Sequence, residues 1–308
     1  MNARLPSSPF VSTAPRPDTR DGILTRRTFR TFERRAIPQA LRVRVLDAAR
    51  WAPSVGEADV VRYVVIDDAA LKKRLFRLTR ESKDISNHWE PLFTSSGLRG
   101  YVQDWTHTPL CIAVCADPSA GPGHVHNGWN HHLACAAATQ NLALVMYTHF
   151  SQEKLKQLLD VPFGWDVNGV MGIGYPDLGR INPRVLEASL VRLPLDELVS
   201  DERYGDPAPK DLVEERGGSR PVPDLMATME AFRGATRFTG AAVPAAHVFE
   251  ILRAGQWAPS AGNFQPIRFV VLRDRERLAA LGALARESVA TSAHWFARYR
   301  DGASEHPD

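Results

Sequence analysis

The sequence predicts an α+β fold, a mixed sheet flanked by helices, and three observations lead there. Short β-branched or apolar runs, VVRYVVID, LCIAVCA and VNGVMGIGY, read as strands. They mix with helical patterns without the strict βαβ rhythm of a doubly wound parallel sheet. The chain also says one thing twice: WAPSVGEADVVRYVVIDDA at 51–69 returns as WAPSAGNFQPIRFVVLRDR at 257–275. A constant shift of 206 keeps the copies in register from about residue 27 to about residue 89, with roughly 24 of 63 positions identical. A period that long is too large for a solenoid unit, so the repeat is a duplicated domain whose second copy is the shorter.

The elements follow in order. Residues 1–20, rich in Pro, Ser and Thr, read as a loose arm. ILTRRTFRTF reads as a helix or helix start, and Pro38 opens a second helix through Ala52 with Leu41, Val45, Leu46 and Ala49 near helical spacing. The strand VVRYVVID follows, and Asp67 and Asp68 then start the helix ALKKRLFRLTRES, acidic residues suiting a helix N-terminus. LCIAVCA is the next strand. After it come a Gly/Pro/His loop, a helix from about Trp129 to Met146, a helix N-capped by Ser151 (SQEKLKQLLD), and the strand VNGVMGIGY. The polar segment 201–224 reads as a linker between a full domain (21–200) and a half-domain (225–308). The half-domain repeats the helices near 226–238, after Pro244 and after Asp274, with the strand IRFVVL between the last two. So small a unit leaves an apolar face open and is expected to dock on the first copy or on another chain.

Composition narrows the function. The chain has 308 residues, 44% of them hydrophobic and 24% charged, and a net charge of +3, with basic and acidic residues interleaved. That balance argues against a nucleic-acid partner. No apolar run approaches the ~20 residues of a membrane span and the N-terminus lacks an apolar signal core, so a cytoplasmic protein is expected. Cys111 and Cys115 fall on one face of a buried strand, and Cys135 lies in an apolar helix. All three read as core residues. His124, His126, His131 and His132 cluster in sequence, with no Cys or carboxylate at ligand spacing, so no metal site is expected.

These residues resemble the flavin-dependent nitroreductase superfamily. The carriers are RRTFRTF at 26–32, WAPSVG at 51–56, WAPSAGNFQPIRFVV at 257–271, AAATQNLAL, and GIGYPD at 172–177, within about 24–200 and 226–300. The resemblance implies FMN as cofactor, held between two subunits: an arginine-rich helix and a GYP region grip the phosphate end, and an APSxxNxQP segment meets the ring. Carried onto this chain, Arg26, Arg27 and Thr28 serve the phosphate, with Arg30, Arg180 and Arg184 adding charge and Gly174 in the GYP region. Pro259, Ser260, Asn263 and Gln265 serve the ring, whose carbonyls and imide suit neutral amides. Read without the resemblance, the arginines are a solvated helix face and the two amides close a turn.

The copies depart from the pattern in complementary places. In the first, Glu57 stands opposite Asn263, and Asp59-Val60 opposite Gln265-Pro266, which puts carboxylates where a reduced flavin would repel them. In the second, Gly234 and Thr236 replace Thr28 and Arg30, and no GYP region follows. One whole composite site is therefore expected, with its mirror image empty, in an intramolecular pseudo-dimer or a domain-exchanged homodimer. A 24-residue linker reaches roughly 25–30 Å, which permits either. The resemblance also has a gap: after NLALVM about ten residues of the family pattern are missing.

The expected activity is an FMN-dependent two-electron oxidoreductase acting on a small organic molecule, with NAD(P)H as a transient donor because no GxGxxG opens a helix. No side chain is assigned a catalytic role. Two other readings remain: a flavin-cleaving enzyme resembling dimethylbenzimidazole synthase, which carries Asp where this chain has Thr28, and a flavin-sequestering or scaffolding pseudoenzyme.

Overall fold

The computed structural model describes residues 18–25, 29–53, 60–89, 103–118, 130–141, 151–180, 192–213, 224–231, 237–260 and 265–300. The elements are α1 (Thr19–Thr25), α2 (Gln39–Arg50), β1 (Val61–Ile66), α3 (Ala69–Trp89), β2 (Leu110–Ala116), α4 (Asn130–Asn141), α5 (Gln152–Leu159), β3 (Asp166–Ile173), α6 (Leu195–Leu198) and β4 (Val199–Asp201). The chain continues through α7 (Lys210–Val213), α8 (Leu225–Ala231), α9 (Ala245–Gln256), β5 (Phe269–Val271) and α10 (Arg275–Arg300). No helix among the described residues is long and apolar enough to cross a membrane.

Strands β1, β2 and β3 form an antiparallel sheet with β2 in the centre, so the mixed character of the strands is divided between this sheet and a separate parallel pair, β4 with β5. The unbroken apolar run of β2 reflects burial on both faces. Cys111, Ala113 and Cys115 point into one core with Leu75, Leu78, Trp105 and Leu155 from the α3 and α5 side. Leu110, Ile112, Val114 and Ala116 point into the other with Ala49 and Cys135 from α2 and α4. Buried polar atoms are satisfied locally: Trp105 Nε1 donates to Thr79 Oγ1 at 2.7 Å, and that hydroxyl donates to Leu75 O at 2.9 Å.

The repeat is visible in the backbone. Helices α1, α2 and the start of α3 return 206 residues later as α8, α9 and α10. Pro38 before α2 has φ −56° and ψ 142°, and Pro244 before α9 has φ −58° and ψ 140°. Asp68 Oδ1 accepts from Leu71 N at 2.7 Å at the start of α3; Asp274 Oδ1 accepts from Arg277 N at 2.9 Å at the start of α10.

Three local expectations change. Of ILTRRTFRTF, read as a helix or helix start, residues 23–25 are the end of α1, and Phe32 lies in a β-bridge with Pro176. Long-range pairing with the GYP region outweighs the weak helical pattern there. Ser151 precedes α5 but its side chain makes no capping bond; its backbone N–H donates to Ser82 Oγ at 3.1 Å, tying α5 to α3. Segment 201–224 carries more than a linker, because it holds the end of β4 and all of α7, with Leu212 buried at 2% exposure. Leu212 joins Leu195 and Val199 in a core with Phe249 and Leu252 of α9. Phe249 and Leu252 of the second copy are thus buried against the tail of the first.

Candidate functional site

Two groups of contacts position the residues expected at a flavin. The first surrounds the phosphate-end residues. Glu33 N donates to Tyr175 O at 2.8 Å and Asp177 N to Thr31 O at 3.0 Å, a short ladder that holds the arginine-rich segment against the GYP region. Arg30 sits at its start, and its carbonyl accepts from Gln103 Nε2 at 3.0 Å. Gly174 is a glycine for packing: a Cβ there would lie 2.8 Å from Pro109 Cδ and 2.9 Å from Phe32 Cδ1. Arg180 ends the turn Leu178–Arg180, with its side chain 69% exposed and its Nε 3.3 Å from Asp177 Oδ2. Arg26, Arg27, Thr28 and Arg184 lie outside the described residues.

The second group surrounds the ring-end residues. Pro259 and Ser260 follow α9, and Ser260 Oγ accepts from Gln265 N at 3.0 Å. Gln265 takes φ 49°, the left-handed region, held there by that bond and by a second one from its side chain. This second bond crosses between the copies: Leu193 N donates to Gln265 Oε1 at 2.8 Å. Gln256 Nε2 donates to Leu193 O at 2.6 Å, and the Arg192 guanidinium lies 4.5 Å from the Trp257 ring centroid. Asn263 lies outside the described residues, as do Glu57 and Asp59.

Between these groups the two N-terminal helices meet. Asp18 pairs antiparallel with Asp224, its own equivalent in the repeat. The Thr19 and Thr228 hydroxyls are 2.8 Å apart, and Arg20 Nε lies 3.5 Å from Glu250 Oε2 on α9. Helix α1 runs directly into Arg26, so its docking on α8 and α9 joins the chain leading to the phosphate-end residues to the second copy. Sequence reasoning missed Leu193 and Arg192, whose tie to the second copy carries no local signature. It also missed that Asp166 of β3 meets His131 of α4, 35 residues apart. The cysteines are as inert as their pattern suggested: burial raises the thiol pKa of Cys111 and Cys135 to about 12 and of Cys115 to about 11.

A model of the nitroreductase family matches residues 23–175 and 235–305, falling on both copies of the repeat. The chain belongs to the nitroreductase family. Membership brings the nitroreductase-like fold and makes oxidoreductase the general class of its activity. Among curated relatives, a provisionally named NADH dehydrogenase/NAD(P)H nitroreductase of Archaeoglobus fulgidus is 26% identical over 167 residues, covering 50% of this chain and 83% of that protein. The 5,6-dimethylbenzimidazole synthase of Rhodobacter capsulatus is 28% identical over 174 residues, covering 51% and 83%. Among solved structures, a nitroreductase family protein from Clostridium difficile aligns with TM-score 0.42 at 20% identity, over 60% of this chain and 97% of that one. A nitroreductase with bound FMN from Bacteroides fragilis aligns with TM-score 0.41 at 18% identity, over 52% and 89%.

Proposed function

We propose that this nitroreductase-family chain holds one FMN at a composite site and exchanges two electrons with a small organic molecule. The observation that carries the reading is the bond from Leu193 N to Gln265 Oε1, which fixes the better ring-binding segment of the second copy onto the first copy. The unit is then an intramolecular pseudo-dimer, supported by the pairing of Asp18 with Asp224 and by the shared core of α6, α7 and α9.

The donor chemistry fits FMN by sign. Arg180 is exposed, and its i,i+3 pair with Asp177 is a contact worth little in water, so its guanidinium can turn to a phosphate. Arg26, Arg27 and Thr28, with Arg30 and Arg184, supply the remaining donors at that end. At the ring end Ser260, Asn263 and Gln265 are neutral, and a neutral amide binds imide and carbonyl groups without opposing the charge of a reduced ring; Gln265 Oε1 already accepts from Leu193 N, so Asn263 is the main ring contact of the pair. Ser260 uses its oxygen on Gln265 N, so its role is to hold the turn, with Pro259 stiffening it. Gly174 lets the GYP segment approach Pro109 and Phe32 closely enough to stand beside Arg30. When bound, FMN supplies the two-electron chemistry, and NAD(P)H serves as a transient donor.

The test is spectroscopic. Purified protein is expected to be yellow or to take up added FMN, and NAD(P)H is expected to bleach it without air. Asn263→Leu with Gln265→Leu should abolish flavin binding, whereas Glu57→Ala should leave it unchanged. A colourless protein that rejects FMN would sink the proposal in favour of a scaffold. The reverse mutational result would move the ring to the first copy. A second reading, flavin cleavage, has the similarity to the Rhodobacter capsulatus synthase in its favour; loss of the flavin spectrum under NAD(P)H and oxygen, with dimethylbenzimidazole in the products, would select it.

A further inference from the structure

We propose that His131, His132 and Asp166 form a zinc-type divalent metal site at the junction of α4 and β3, made of none of the residues assigned to the flavin. The sequence offers these groups 35 residues apart; the fold brings one donor atom from each to within 4.8 Å of the others. In a tetrahedral site with bonds of about 2.0–2.2 Å, neighbouring donor atoms stand roughly 3.4 Å apart. His131 Nε2 and Asp166 Oδ2 stand 3.0 Å apart, a hydrogen-bond distance that need open only by a few tenths of an ångström to admit an ion. Two imidazoles and one carboxylate are a donor set suited to Zn2+, with a fourth position left for water.

The surroundings are those of a supported site. His131 is 7% exposed, on a helix that buries Ala134, Cys135 and Ala138 beside it, so its ring is held by packing. The two imidazole rings lie against one another with centroids 3.9 Å apart. His132 Nδ1 hydrogen-bonds Asn168 Oδ1, and Asn168 Nδ2 in turn contacts Cys135 Sγ at 3.1 Å. An outer hydrogen bond of that kind fixes the tautomer and orientation of a coordinating imidazole. Lys156 Nζ lies 3.8 Å from Asp166 Oδ1, the oxygen that does not face His131. Zn2+ would take the place of the His131 to Asp166 hydrogen bond, bonding to Nε2 and Oδ2 in its stead.

The experiment uses the full chain, flavin included, dialysed against chelator and titrated with Zn2+ by calorimetry. One Zn2+ per chain is expected. His132→Gln and Asp166→Asn should each weaken binding by upwards of about 100-fold, and Asn168→Ala by about 10-fold. His132 is only half buried, so its variant should fold even if His131→Gln does not, and a circular-dichroism melt checks this. Absence of stoichiometric binding, or unaltered binding in both His132→Gln and Asp166→Asn, would overturn the proposal and leave a hydrogen-bonded pair that ties α4 to β3. Flavin content should be unchanged in every variant, so the outcome is independent of the FMN site.

Discussion

Helices α2 and α9 stand at equivalent places in the two copies and bury different faces. In α2 the core takes Ala48 and Ala49, with Val45 and Leu46 packed against it, while Val43 is 55% exposed. In α9 the core takes Phe249 and Leu252, the equivalents of Val43 and Leu46, while Ile251, the equivalent of Val45, is 67% exposed. The same inversion runs through the long helices. Leu75 and Leu78 of α3 are 0% and 7% exposed, but Leu281 and Leu284 of α10 are 53% and 63% exposed. Local sequence sets the helix in both copies; the layer laid over it decides which stripe is core. The first copy is covered by β2, β3, α4 and α5, and the second by the tail 195–212 of the first.

Smaller differences have the same cause. Asp67 accepts a hydrogen bond from Arg42 Nη1 at 2.6 Å, an interaction within the first copy. Its equivalent, Arg273, turns to Asp201 and Asp211 of the first copy's tail at 3.2 and 3.5 Å. Tyr63 donates its hydroxyl to Ala49 O at 3.3 Å, whereas its equivalent Phe269 lowers its ring onto Gly255, the equivalent of Ala49.

The largest expected effect uses the cysteines, all of which lie in the first copy. A thiol pKa raised from 9.0 to about 12 leaves roughly a thousandfold less thiolate at neutral pH, so Cys111 and Cys135 should resist a thiol reagent until the first copy opens. Labelling that begins well before the main urea transition would break the picture of a firmly covered first copy. Next, Leu75→Ala should cost about 2–5 kcal/mol and Leu281→Ala less than about 0.5 kcal/mol by urea denaturation. Equal losses would show that α10 is covered after all.

Gly255→Ala sharpens the contrast at smaller scale. Gly255 is the penultimate residue of α9, where Gly→Ala ordinarily gains less than the roughly 1 kcal/mol of a helix interior. Here the added Cβ would sit 2.7 Å from Phe269 Cζ, so a net loss of about 1–2 kcal/mol is expected in the same assay. Smallest is the effect of Asp67. The hydrogen bond from Arg42 holds its carboxyl below the usual value of 3.8. A depressed folded-state pKa adds stability above the unfolded value and loses it as pH falls through the folded one. The difference in urea midpoint between the native chain and Arg42→Gln should therefore be present at pH 6 and vanish at pH values below the folded pKa.

How much of this was legible follows from where the causes lie. Strand β2, the helix after Pro38 and its repeat after Pro244 were readable because apolar runs, prolines and acidic N-caps act within a few residues. The Phe32 to Pro176 bridge, the docking of Leu212 on α9 and the meeting of His131 with Asp166 were not, since each depends on a partner more than thirty residues away. The tail 201–224 misled for a related reason. Its polar, Pro- and Gly-bearing composition is that of a linker, yet Leu212 is buried on α9 and Asp201 and Asp211 meet Arg273.

The meeting of α1 with α8 has a consequence for how such a chain can change over generations. In a symmetric pair of identical subunits, every substitution near the axis is made twice and faces itself. Here Gly22 faces Leu225, so closely that a Cβ on Gly22 would lie 2.7 Å from Leu225 Cδ2, while their equivalents Thr228 and Thr19 face each other through hydroxyls. One flank of the contact is apolar and the other polar, a pairing that two copies of either half alone would not reproduce. Across this contact the two halves are no longer interchangeable, because each presents the side chain that suits the other and not its own copy.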